Sequence, residues 1–177
     1  VREFEVVAQA GGHVISVGGN RFITLSSGYL GSLVWGLVIF SIAVSTNFDR
    51  WLMGIIALVL ISITLFYGTN SFVMTFGISM GVAMLLSAKF LSLAINDFLL
   101  RLIGLTNMLY VPLDIYSDTI ERSHLRSDAY MLAEEIGGST MMWGSLWLTI
   151  SIAFILICLR WLLKTESAST IYTANSG

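Results

Sequence analysis

Charge is what this sequence has least of. Of its 177 residues, 11% are Asp, Glu, Lys or Arg and 56% are hydrophobic, where an ordinary soluble domain carries about 25% charged residues. That scarcity excludes water as the chain's main solvent. Cysteine occurs once, as Cys158, so no intrachain disulfide can form, and its place in an apolar run marks it as a small packing residue. Histidine occurs twice, as His13 and His124. Neither has a second histidine four residues on, so these two cannot form a zinc pair on one helix face. The net charge is -2 and the basic residues are scattered, which excludes nucleic acid, whose phosphates need a clustered cationic face. A Gly-rich phosphate loop, a nucleophile elbow and a cysteine pair are all absent.

What is there is apolar sequence in blocks. No Asp, Glu, Lys or Arg lies between Arg21 and Asp49, between Arg50 and Lys89, or between Glu135 and Arg160. Each gap holds at least one stretch of about 20 apolar residues, the length that crosses a hydrocarbon core. Spans are predicted over Leu25 to Ser45, from Trp51 to Phe66, from Phe72 to Ala88 and from Thr140 to Leu159, with polar turns at Asn47-Phe48-Asp49-Arg50 and Tyr67-Gly68-Thr69-Asn70. Gly28, Gly31, Ser32 and Gly36 give the first span a small-residue face suited to close packing. Lys89 to Arg101 mixes Asn96, Asp97 and Arg101 with Leu and Phe and reads as an interfacial connection. Leu102 to Leu113 is apolar but short for a regular crossing. Tyr116 to Glu135 reads as a solvated loop with some helix.

Ahead of the first span, Val14, Ile15, Val17, Phe22 and Ile23 alternate with Gly11-Gly12 and Gly18-Gly19-Asn20, the pattern of a β-hairpin. The expected fold is therefore an all-α multi-pass membrane protein with about four to five transmembrane or membrane-embedded helical segments and an N-terminal β-hairpin. It divides into a hairpin segment (1–24), a transmembrane domain (25–164) and a polar, disordered tail (165–177). The chain opens at Val1 without an initiating Met or a signal peptide, which reads as a fragment or as missing upstream sequence.

Ionisable groups near membrane depth are costly and so draw attention as functional candidates. Asp114 is the foremost. The only proline, Pro112, lacks an amide hydrogen and disfavours helix in the residue before it, which predicts a break just ahead of Asp114. Unwound backbone at such depth lines a wet cavity or is buried in protein. Two readings of Asp114 stand side by side: a carboxylate in a polar site with the Asn107 amide nearby, or an interface residue at the end of a span. Asp118 and Glu121 read as solvated loop charges.

Taken in order, Gly28-Tyr29-Leu30-Gly31, Leu105-Thr106-Asn107-Met108-Leu109-Tyr110, Leu113-Asp114-Ile115, Ser127-Asp128-Ala129-Tyr130, Gly137-Gly138 and Trp143-Gly144 resemble the M50B-like membrane peptidases, relatives of the site-2 intramembrane zinc proteases. In site-2 proteases two histidines of an HExxH helix and an aspartate from a later Asn…Pro…Leu-Asp-Gly segment hold the zinc. The resemblance implies a zinc cofactor with Asp114 as one metal ligand, Asn107 as a substrate-binding residue, and a hairpin that helps present an extended, membrane-protein substrate. Ile115 stands where the site-2 pattern has Gly, and Asn107 is one residue nearer the aspartate. No HExxH occurs in the 177 residues. By resemblance it would lie upstream of the hairpin, so the expectation is the C-terminal membrane region of a zinc metallopeptidase, inactive as this fragment. One alternative is a non-catalytic multi-pass membrane protein of the same fold that binds membrane clients. A small transporter is another, and it would show an internal repeat that is not seen here.

Overall fold

Without water, a single segment satisfies all of its backbone N–H and C=O groups only as a helix, and helices carry the apolar blocks here. The computed structural model describes residues 3–7, 11–15, 20–121 and 127–174. Six α-helices follow one another: α1 (Arg21–Ser45), α2 (Asp49–Tyr67), α3 (Ser71–Phe90), α4 (Leu93–Tyr116), α5 (Asp128–Ile136) and α6 (Thr140–Ala174), with a π-helical turn at Ser117–Glu121. Five helices are long and apolar enough to cross a membrane: Phe22–Ser45, Asp49–Tyr67, Ser71–Phe90, Leu93–Glu121 and Thr140–Arg160.

A β-hairpin over 1–24 is not supported. The strand pairing is confined to Glu3–Val7 (β1) against antiparallel Gly11–Ile15 (β2), so Gly11 and Gly12 lie in a strand rather than a turn. Phe22 and Ile23 belong to α1. No charge or turn residue separates them from the apolar run that follows, so the helix extends back through them. The Gly18-Gly19 pair lies outside the described residues.

Helix ends are set by local hydrogen bonds. Thr46 closes α1 by donating both its amide (3.0 Å) and its hydroxyl (2.8 Å) to the Ile42 carbonyl. Asn70 caps α3 by accepting the Val73 amide at 2.8 Å, and Ser127 caps α5 by accepting that of Tyr130 at 3.3 Å. Such side chains satisfy amides that the helix itself cannot. After α5 the backbone turns through positive φ at Gly137 (103°) and Gly138 (88°), a conformation open to glycine at little steric cost.

The helices fall into two compact units, Val1–Asn20 with Val38–Ile103, and Arg21–Leu37 with Gly104–Gly177. In the first, α2 and α3 form a close hairpin. Gly77 abuts the side chain of Thr64 and Gly81 that of Ile61, with no room for a Cβ at either glycine. Its apolar core joins Ile39, Ala43, Met53 and Leu100. The second unit packs Leu25, Tyr29 and Leu33 of α1, spaced four apart on one face, with Val111, Ile115, Ala129, Leu132 and Trp147.

Three expectations about α4 and α6 are corrected. Lys89 to Arg101 is not an interfacial connection: only Leu91 and Ser92 separate α3 from α4. Fully buried Asn96 donates to the carbonyls of Ser87 and Ser92, each at 3.0 Å, and accepts from the Ser87 hydroxyl at 3.2 Å. Asp97 and Arg101, one turn apart, neutralise each other at 2.6 Å. With these polar groups satisfied, the segment joins Leu102–Leu113 in a single helix. Pro112 does not break it either. A proline removes one backbone hydrogen bond, and burial of Val111 and Ile115 in one core holds the helix across that gap. The irregularity comes later, at the π-helical turn, where the Thr119 hydroxyl donates to the Ile115 carbonyl at 2.6 Å. Beyond Thr165, read as a disordered tail, the α6 backbone stays helical to Ala174.

Substituting Gly77 by Val forces a side chain into Thr64. It should destabilise the α2–α3 hairpin by about 1–3 kcal/mol, read as a lower melting temperature of the detergent-solubilised protein. Gly54→Ala, in α2 with open space around the added methyl, should cause no loss.

Candidate functional site

Asn107 and Asp114 both lie on α4, half-buried. Seven residues apart, they are close to two helical turns, so the two side chains leave the same face of the helix, roughly 10 Å apart along its axis. Each is placed by what surrounds it in the second unit. At the Asn107 level α1 comes close: a Cβ on Gly36 would stand 2.9 Å from the Asn107 Cβ and 3.0 Å from the Gly104 carbonyl oxygen. Gly36 thus lets α1 cross directly over the backbone of α4.

One turn beyond Asp114 lies Asp118, in the π-helical turn. Read from sequence as a solvated loop charge, it is instead half-buried, and its Oδ2 accepts the Tyr29 hydroxyl at 2.8 Å. Tyr29 is only 4% exposed, and its ring leans on Trp147 with centroids 5.1 Å apart. Asp128, at the start of α5, sets its carboxylate against Gly28, where a Cβ would otherwise stand. Asp114, Asp118 and Asp128 all lie within electrostatic reach of the Tyr29 hydroxyl. The remaining acid of the turn, Glu121, is exposed and accepts from the Ser117 hydroxyl at 3.2 Å.

The glycines of this unit have separate tasks. Gly28 makes room for a carboxylate, and Gly144 of α6 makes room for the Thr119 side chain; Gly31 has open space around it, so close packing does not account for it. Tyr29, Asp118 and Asp128 are the residues that sequence reasoning left out of the site. A signal for Asp118 was present, since it stands four residues after Asp114. The approach of Asp128 to Gly28 joins residues a hundred positions apart, and no local pattern carries it.

Zinc sites use three or four protein ligands drawn from Cys, His, Asp and Glu. Among the described residues, no group of three such side chains could hold a metal ion. Asp114 with its acidic neighbours therefore does not make a zinc site by itself. His124 lies outside the described residues, and Cys158 is a free thiol in α6, apart from the acids in sequence.

Five membrane-length helices, with polar residues of α1, α4 and α5 gathered inside one unit, define an integral, multi-pass membrane protein. The chain matches the Peptidase M50B-like family over residues 1–158 and belongs to that family. No curated protein and no solved structure matches it.

Tyr29→Phe removes one hydroxyl and leaves the ring packed on Trp147. It should cost about 1–2 kcal/mol of stability, measured by denaturation in mild detergent. A double-mutant cycle tests the Gly28 contact. Gly28→Ala should destabilise the protein by about 1–3 kcal/mol and lose most of that effect when Asp128 is also changed to Ala.

Proposed function

We propose that the chain is the C-terminal membrane region of an M50B-like intramembrane zinc metallopeptidase, to which α4 contributes Asp114 as one metal ligand and Asn107 as a substrate-binding group. The observation that carries this reading is the family match over residues 1–158, which takes in both residues. Their placement supports it. Asp114 is half-buried on a membrane-length helix, one turn before Asp118, and Asn107 leaves the same face two turns away. Histidine ligands would have to come from outside the described residues, because those residues hold no three-ligand group.

This chain's own side chains then have definable tasks. The π-helical turn that begins three residues after Asp114 carries Asp118, and the Tyr29 hydroxyl holds Asp118 in place. That bond keeps the turn anchored to α1. Asn107 offers an amide donor and a carbonyl acceptor, the complement of an extended peptide backbone. The membrane-protein substrate class follows from the setting, since a polar site among membrane-length helices meets chains that share the bilayer.

A second reading, a non-catalytic member of the same fold that binds membrane clients, is favoured by one observation, the lack of a three-ligand group among the described residues. Asp114→Asn in the full-length protein separates the two. For a peptidase, cleavage of a membrane-protein substrate should fall by more than about 100-fold, with zinc content reduced and helical circular dichroism unchanged. Cleavage that persists removes Asp114 from the site. A full-length protein with neither bound zinc nor cleavage supports the client-binding reading. Asn107→Ala should mainly raise KM, as expected when an interaction shared by bound substrate and transition state is lost.

A further inference from the structure

The first unit holds a cavity of about 360 Å³ where the end of α1, the start of α2 and the first turns of α4 meet. Asp49, Asp97 and Arg101 line it, together with Ala43, Val44 and Ser45 of the last turn of α1. Asp97 and Arg101 are bound to each other at 2.6 Å and cancel in charge. Asp49 feels the Arg101 guanidinium but forms no ion pair of its own among the described residues. It is 1% exposed, and its Oδ1 finds no hydrogen-bond donor among the described residues. A buried carboxylate oxygen left bare is costly, and one positive charge would offset it.

The surroundings favour a cation. Ala43, Val44 and Ser45 belong to the last turn of α1, whose carbonyls have no amide further along the helix, and a helix C-terminus carries partial negative charge. Helix-end carbonyls beside a carboxylate are an oxygen-rich set of the kind that holds monovalent cations in membrane proteins. The charges also decide the valence: with the Asp97–Arg101 pair neutral, a single positive charge balances Asp49. We infer that this cavity binds one monovalent cation, an alkali-metal ion or a primary ammonium group, between Asp49 and the C-terminal carbonyls of α1. The site does not depend on the peptidase reading.

The test is thermal unfolding of the full chain. In detergent, NaCl or KCl should raise the melting temperature by roughly 3–5 °C over equimolar choline chloride, whose quaternary ammonium has no N–H to donate. Asp49→Asn, which keeps the shape and removes the charge, should abolish the difference. If the source is a lipid ammonium, stabilisation should instead appear in choline chloride on passing from phosphatidylcholine vesicles to vesicles that also contain phosphatidylethanolamine. Equal melting temperatures for the wild type in all of these conditions overturn the inference. So does a cation effect that survives in Asp49→Asn. The wild-type comparison stands even if the variant does not fold.

Discussion

A peptide group in hydrocarbon has no water to bond to, and the architecture of this protein follows from that constraint. It selects helices for every apolar block and makes each helix end a problem to be solved locally. It also governs the polar side chains. Hydroxyls along the spans turn back onto the carbonyl one turn earlier, as Ser32 does to Gly28, Ser62 to Leu58, Thr64 to Leu60 and Thr149 to Ser145. A hydroxyl bonded in this way makes little demand on its surroundings. These four hydroxyls therefore need no polar neighbour on another element.

The same constraint sorts inside from outside. Large apolar side chains such as Trp35, Phe66, Phe76 and Ile157 are exposed, the surface a lipid solvent calls for. Between helices, small residues allow close approach, with Gly77 against Thr64 and Gly36 against Asn107. Ionisable groups are drawn to protected positions, and in the second unit that gathers Asp118 and Asp128 around Tyr29. In a member of the Peptidase M50B-like family, such a gathering beside Asp114 holds the acid in a polar, protein-lined environment that the bilayer does not provide.

The spans were legible because charge spacing is a one-dimensional property: the gaps from Arg21 to Asp49, Arg50 to Lys89 and Glu135 to Arg160 each became helix. The fifth span was not. Asn96, Asp97, Arg101 and Pro112 each argue against a continuous helix when taken singly, and each is answered by a partner that sequence does not announce. Asn96 has the carbonyls at the end of α3, Arg101 has Asp97 one turn away, and Pro112 stands between two core residues. Phe22 and Ile23 were misread for a different reason. Aromatic and β-branched residues favour strands only where a pleated surface is available, and here the adjoining apolar run continues as helix. Of the candidate site, Asp114 and Asn107 are proposed through resemblance, while the Tyr29–Asp118 bond spans 89 positions and has no local signature.

The bonds of Asn96 all run backward along the chain, to Ser87, Leu91 and Ser92. A protein is made from its N-terminus, so these acceptors leave the ribosome before the amide that needs them. α4 carries an amide and an ion pair within its first three turns and is the least apolar of the five spans. Its polar start is met by an α3 end that is already synthesised. Order of synthesis thus puts the partners of α4's most polar turn in the chain before that turn itself.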